Sequence, residues 1–206
     1  MIIGLLGFAG SGKGTVGEIL NMEYDYIPES VAKPVKDAAA AIFGWPRSCL
    51  EGDTERSRNF RERKDEWWSN QLNMEITPRK VLQLMGTEVF RNIFHPDIWI
   101  KSLQKRIEQS SYKNIYISDV RFPNEVKAIR EMNGKVVLIE RGEKPEWWAA
   151  AEMINSGLSK NIPPPPVHFS EWAWIGTKMD YTIQNNGTFD DLSKEVNKMI
   201  DFFASM

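Results

Sequence analysis

The residues best suited to chemistry come first in the chain. A short apolar run, Met1 to Leu6, is followed at once by "GFAGSGKGT", Gly7 to Thr15. Glycines at this density let successive backbone N–H groups turn inward, because side chains would block an approaching anion. The helix that follows aims the positive end of its dipole at the same place. Lys13 then reaches the β- and γ-phosphates of a nucleoside triphosphate. Gly10, Ser11, Gly12, Lys13, Gly14 and Thr15 are therefore the predicted ATP-binding residues of the loop. A short Gly/Lys pattern also arises by chance as a flexible turn. Here a buried-type strand precedes it and an amphipathic helix follows, the context that a true phosphate loop requires. One position departs from the common pattern: Gly14 stands where such loops usually carry a magnesium-binding Ser or Thr. That leaves the hydroxyl and amide of Thr15 beside the phosphates.

A kinase whose acceptor is itself a phosphate monoester needs a second set of cations, because charge spreads over the transferring group. Arg121 and Arg141 each follow a predicted sheet strand, at the carboxyl end where ligands of open α/β sheets gather. Lys36, Arg79 and Arg91 supply further positive charge. The alternative for each, taken singly, is a solvated surface charge, and most of Arg56 to Lys64 is read that way. Asp119, at a strand end, suits the orienting of magnesium-bound water, with a turn or cap carboxylate as its structural alternative. Glu125 has the same ambiguity, since an acid near a helix start stabilises the dipole. No general base is required of an already ionised acceptor. Alignment and charge neutralisation by Lys13, Arg121, Arg141 and Asp119 form the predicted catalytic set.

The elements that must position these residues follow from hydrophobic patterning. Met1–Leu6 reads as a buried central strand. Val16, Ile19 and Leu20 mark a helix ended by Asn21, and a second helix runs from about 31 to 43 until Gly44, Trp45 and Pro46 stop it. Residues 46–78 are crowded with charge and read as a mobile excursion containing helix. After Pro78, which fits a first helical turn, Val81, Leu82, Met85, Val89 and Phe90 give a buried face. A further helix covers 98–109. Then the pattern turns to strands and helices in alternation: 114–120, a helix closed by Gly134, "KVVLIER", irregular residues 142–178, "DYTIQN", and a last amphipathic helix that Thr188 caps. Repeated strand–helix units predict a parallel sheet with helices on both faces.

Bulk properties narrow the classes. The chain has 206 residues, 42% apolar and 26% charged, which suits one globular domain with sizeable excursions. A net charge of −2 offers no basic field for a nucleic-acid partner. A single cysteine, Cys49, excludes an internal disulfide and suits a reducing cytoplasm. No apolar run spans a bilayer, and the N-terminus lacks a signal-peptide pattern, so the expectation is a cytoplasmic protein without membrane partners.

The loop "GSGKGT", with Gly after the Lys, resembles that of adenylate kinase and related nucleoside monophosphate kinases, where magnesium is held largely through phosphate oxygens and water. Longer blocks are more specific. "SVAKPVKDAAAAIFGW", "TPRKVLQLMGTEVFRNIFHPDIWI", "DVRFPNEVKAIREMNGKVVLIER", "HFSE" and "DYTIQNNGTFDDL" together resemble the deoxynucleoside monophosphate kinases of tailed bacteriophages, in order across nearly the whole chain. The resemblance implies a phosphate-loop kinase fold, α/β, with three α/β/α layers around a central parallel sheet. Its core would be 1–30, 111–141 and 179–206, with a monophosphate-binding excursion over about 31–110 and a lid over about 142–178. It implies transfer of the γ-phosphate of ATP to a deoxynucleoside monophosphate, with Mg²⁺, in support of phage DNA synthesis in the host cytoplasm. Lys36, Arg79, Gln83, Arg91, Trp99, Arg121 and Glu125 would then contact the acceptor. Core packing is the alternative for Trp99. Thr15 and Asp119 would meet the metal through water. Arg141 would sit at the lid hinge, and Asn186 and Gly187 resemble the turn that lies against adenine. "HFSE" (His168 to Glu171) receives no proton-transfer role. ATP and the dNMP are the expected partners, and a homodimer is left open. The rivals are dephospho-coenzyme A kinase or another small-molecule phosphate-loop kinase, and, from another class, a regulatory ATP-binding module without transfer.

Overall fold

Ile3 and Leu5 project from one side of the first strand and Gly4 and Leu6 from the other, and all four are buried, so both faces of this strand must be covered. The computed structural model, which describes residues 1–158 and 161–206, shows how. The chain divides into two compact units, Met1–Ser30 with Ser110–Met206, and Val31–Gln109.

In chain order the first unit opens with β1 (Ile2–Leu6), α1 (Lys13–Tyr24) and β2 (Ile27–Glu29). The second unit carries α2 (Lys33–Phe43), α3 (Glu55–Glu62), α4 (Glu66–Leu72), α5 (Pro78–Gln83), a π-helix (Leu84–Phe94) and α6 (Ile98–Glu108). The first unit then resumes with β3 (Ile115–Ile117), α7 (Pro123–Glu131), β4 (Lys135–Glu140), α8 (Trp148–Asn155), β5 (Tyr181–Gln184) and α9 (Phe189–Ala204).

The five strands form one parallel sheet in the order β2-β3-β1-β4-β5. On one face, Ile3, Leu5, Val137, Ile139 and Ile183 pack against Val16, Ile19 and Leu20 of α1 and Leu192, Val196, Met199 and Phe203 of α9. On the other, a Cβ at Gly4 would lie 2.6 Å from the end of the Ile129 side chain of α7, so a larger residue would push that side chain aside. The layers are thus the α/β/α arrangement expected of a phosphate-loop kinase. Among the described residues no helix is long and apolar enough to cross a membrane.

Several local expectations are corrected. Asn21 does not end α1, which runs on to Tyr24 and closes at Asp25 in the left-handed region (φ 56°). β2 went unread because it is three residues long with Pro28 at its centre. As a sheet-edge strand it tolerates a proline that cannot donate to the ladder. α7 is closed by Asn133 in the left-handed conformation (φ 58°), not by Gly134. Residues 142–178, read as irregular, hold α8 and a 3₁₀ turn at Phe169–Glu171. Residues 159 and 160 of that stretch lie outside the described residues.

The second unit has its own small core. Ala39, Trp45, Leu50, Ile76 and Val81 are buried together, with Phe43, Phe60 and Trp68 against them. Trp45 stacks on Phe43 at 4.5 Å, and Trp68 donates from Nε1 to Phe43 O at 3.0 Å. The charged 46–78 stretch therefore buries one of its two tandem tryptophans partly, while Trp67 stays exposed. The apolar face predicted after Pro78 is broken. Val81 is buried but Val89 is 45% exposed, because the α-helical period stops at Gln83 and π geometry takes over.

Candidate functional site

The phosphate loop runs from the carboxyl end of β1 into α1, and its glycines are held there for separate reasons. Gly7 (φ 141°) lies so close to β4 that a Cβ would be 2.4 Å from Ile139 O. Gly12 caps α1 in the left-handed region (φ 100°), and a Cβ there would meet Asn185 Nδ2 at 2.2 Å. Asn185 is 7% exposed and donates from that Nδ2 to Ser11 O at 2.8 Å, while its own N–H bonds Glu140 O at 2.8 Å. The loop thus rests on a buried amide supplied from just beyond β5. Gly14 differs from both: it has no left-handed backbone and open space around it. Neither conformation nor packing demands glycine there. Ser11 Oγ is buried without a hydrogen-bond partner among the described residues, a polar atom left over in a loop whose geometry suits an anion.

Lys13 folds back on its own loop, donating to Gly7 O at 2.7 Å and Phe8 O at 2.8 Å. Burial first, and the charge of Arg121 second, lower its ammonium from the usual 10.5 to about 8, against the opposing pull of Glu171 and Asp119. Lys13, Arg121, Glu171 and Asp119 therefore lie within electrostatic reach of one another. β1 and β3 are sheet neighbours, so the segments leaving their carboxyl ends emerge side by side.

Arg121 is fixed at both ends. Its backbone N–H bonds Glu125 Oε2 at 2.6 Å, and its Nη1 bonds Glu171 Oε1 at 2.5 Å. Glu125, 97% buried by its 3% exposure, also accepts from Phe122 N at 3.0 Å, so its carboxylate is occupied as the N-terminal cap of α7. These are the contacts of its helix-start alternative. Asp119 accepts from Ser30 Oγ at 2.7 Å. Arg141, exposed after β4, lines a small cleft with Gly7, Phe8, Lys144, Trp148 and Trp174. Asn186 Oδ1 accepts from Gly142 N at 2.7 Å, which ties the β5 turn to the start of the 142–178 stretch. Gly187 lies against Asp191, whose carboxylate completes the cap of α9 with Thr188.

The loop has a partner that patterning did not reveal. The ring of Phe8 meets Trp147, Trp148 and Trp174 at 5.6, 5.8 and 5.3 Å between centroids, and Lys144 Nζ stands 4.3 Å over Trp148. Three tryptophans of the 142–178 stretch thus pack around the aromatic residue of the phosphate loop. Asn185 was also missed. An asparagine before "NG" carries no signal of its own, and its role exists only once β5 lies beside the loop.

In the Val31–Gln109 unit the predicted cations Lys36 and Arg79 are paired locally. Lys36 Nζ bonds Glu51 Oε2 at 2.5 Å, and Arg47 bridges Glu51 and Asp37. Burial alone would push the Glu51 carboxyl up, but Lys36 and Arg47 hold it below the usual range. Arg79 pairs with Glu62. Gln83 is the last residue of α5 and Arg91 lies in the π-helix. Trp99 is buried, with Nε1 on Gly86 O at 2.8 Å and its ring 4.9 Å from Phe90, which is the packing alternative.

Mg²⁺ can be tested against this donor set. Among the described residues no three His, Cys, Asp or Glu side chains converge as a cage. So sparse a donor set, with Asp119 and Thr15 as its candidates, would suit only an ion that keeps its waters and is carried on phosphate oxygens.

Three comparisons bear on identity. A family model described as deoxynucleotide monophosphate kinase matches residues 47–161, more than half of the chain. An Acanthamoeba polyphaga mimivirus protein carrying the same family name is 32% identical over 155 residues, covering 68% of this chain and 74% of its own. The deoxynucleoside-5'-monophosphate kinase of Escherichia phage T5 is 32% identical over 182 residues, covering 65% of this chain and 73% of its own. Among solved structures, dephospho-CoA kinase from Campylobacter jejuni superposes with a TM-score of 0.50 at 18% identity, covering 99% of this chain and 97% of its own, a likeness of fold. The chain belongs to the deoxynucleotide monophosphate kinase family of phosphotransferases.

Proposed function

We propose that the chain transfers the γ-phosphoryl group of ATP to deoxynucleoside 5′-monophosphates, giving ADP and the deoxynucleoside diphosphate. The observation that carries this reading is the pair of cations Lys13 and Arg121, with Arg121 close enough to disfavour the charge of Lys13. Like charges held together call for anions between them, and a donor phosphate chain with an acceptor phosphate is such an arrangement. In this mechanism the loop N–H groups and Lys13 hold the β- and γ-phosphates, replacing the contacts of Lys13 with Gly7 O and Phe8 O. Arg121 takes the acceptor phosphate and aligns its oxygen for in-line attack. Mg²⁺, carried by ATP with Asp119 and Thr15 near its waters, would neutralise phosphate charge. Arg141 is proposed to meet charge developing on the transferring group. Asn186 and Gly187 are the proposed backbone seat for adenine. Lys36, Arg79, Gln83 and Arg91 are proposed acceptor contacts, to be tested one by one.

The test is ADP release with each of the four common dNMPs, the matching ribonucleotides and dephospho-coenzyme A. Turnover with one or more dNMPs is expected. Silence with every dNMP, while another acceptor turns over, would sink the proposal, and ATP binding with no acceptor turned over would favour a regulatory module.

A further inference from the structure

The "HFSE" block builds a rigid mount for one carboxylate. Ser170 N donates to His168 Nδ1 at 3.3 Å, and that ring nitrogen also meets Ser170 Oγ at 2.8 Å. Glu171 N donates to His168 O at 2.9 Å, and Trp174 Nε1 donates to Glu171 O at 3.1 Å. The ring of Phe169 packs 4.8 Å from Trp172 and 6.0 Å from Phe122, the residue after Arg121. The 3₁₀ turn is thereby docked beside the arginine it faces, and Glu171 bonds Arg121 through Nη1.

From this geometry we infer that Glu171 is a positioning residue for the phosphoryl acceptor, holding Arg121 by one nitrogen so that its other edge is presented to the acceptor phosphate. This rests on the function proposed above. A guanidinium offers five N–H donors in a planar fork, and its Nε–Nη2 edge matches two oxygens of a phosphate. Among the described residues neither Nε nor Nη2 of Arg121 has a partner, so the carboxylate occupies the one position that leaves this edge whole. An ordinary surface ion pair is the plainer reading. Against it, the pair is only partly exposed (41% and 25%), and the backbones on both sides are pinned, Arg121 N by Glu125 and Glu171 by His168 and Trp174. An exposed pair of free side chains loses most of its energy to the entropy of ordering them; this one is ordered in advance.

Glu171→Gln keeps size and hydrogen-bonding reach while removing the charge, so it is the variant of choice. With the wild-type enzyme's best phosphorylated acceptor, kcat/KM for that acceptor should fall about 10–100-fold, the scale of a misplaced positioning group. The loss should lie mainly in acceptor KM, with KM for ATP within about twofold and the melting temperature retained. In an Arg121→Ala background the same substitution should add almost nothing, because the effect passes through the arginine. An unchanged acceptor KM would overturn the inference. So would a lower one, which would mean that Glu171 competes with the acceptor, or an equal loss in both backgrounds, which would mean a structural role. The cycle is run on whichever phosphorylated acceptor turns over, so a failure of the dNMP reading is seen in the acceptor panel and a failure of this inference in the cycle.

Discussion

In the phosphate-loop corner Lys13 rests on two carbonyls of its own loop, whereas in the 31–109 unit Lys36, Arg47 and Arg79 rest on carboxylates. The corner is built around backbone: Gly7 and Gly12 are there because nothing larger fits, and Asn185 supports the turn from beneath. Its cation is desolvated and bound to neutral oxygens that an anion can replace with gain. The insertion is built around side chains, and its Lys36, Arg47 and Arg79 already have carboxylate partners. Under the proposed function, a phosphate site needed in every turnover would be specified by main-chain shape, and an acceptor surface would be open to change one side chain at a time.

The largest effect that would test this contrast is at Lys13. Lys13→Ala should cut transfer by about 10³-fold or more, since it removes the charge proposed to meet the transferring phosphates. A steady-state ADP assay measures it, and a loss below tenfold would show that the corner does not carry the donor. Gly12→Ala should come next. The left-handed backbone costs an alanine about 1–2 kcal/mol, and the new methyl must also displace Asn185 Nδ2, which would lie 2.2 Å away. KM for ATP should rise about tenfold or more on those terms, with acceptor KM little changed.

A pH series probes the same corner. With its pKa near 8, Lys13 loses its charge as pH rises through that value, so kcat/KM for ATP, which reports the free enzyme, should decline above pH 8. The linkage runs the other way for the fold. Between about 8 and 10.5 the unfolded chain keeps a proton that the folded Lys13 has released, so this residue makes the apo fold more stable as pH rises there.

On the insertion side, Arg79→Ala should change stability by about 0–1 kcal/mol, because the arginine is partly exposed and its partner Glu62 lies at the surface, 57% exposed. A melting curve and acceptor kinetics on the same variant separate the two roles: an acceptor KM that rises while the melt stays put marks a true contact. The smallest effect belongs to Gly14→Ala. With open space and an α-helical backbone, it should stabilise the chain by roughly 0.5–1 kcal/mol and leave ATP use intact. Loss of ATP binding there would show that the glycine answers a need of the bound nucleotide that the free loop does not reveal.

These outcomes also measure what could be read without coordinates. The phosphate loop was legible because glycine spacing writes backbone shape directly into residue type. β1 and α9 were legible because apolar periodicity is strong where an element is buried on one or both faces. β2 was not, since three residues around a proline carry no period, and its existence depends on β3 lying beside it. Val89 was misplaced because the predicted face assumed one helical period through residues that change to another at Leu84. Asn185 and Phe8 act through contacts with segments 174 and about 140 residues away, and no local pattern announces such partners. Glu171 lies between these extremes: the block around it stood out, yet its task appears only when Arg121 is seen at its side chain.

The strand order has a consequence for how the molecule is made. β1 is synthesised well before its two neighbours in the sheet, β3 and β4, which begin at Ile115 and Lys135. Ile2, Ile3, Leu5 and Leu6 must therefore wait through the synthesis of the whole 31–109 segment before any backbone partner exists. Closing a loop of that length costs about 4 kcal/mol of chain entropy, repaid only when β3 and the helices arrive. The local contacts of α2 to α6 have no such delay and form early, whereas the sheet is a late and slow event. An apolar strand held open for most of translation is a hazard for aggregation, and the same residue order that places the phosphate loop at the centre of the sheet makes the nascent chain dependent on its slowest step.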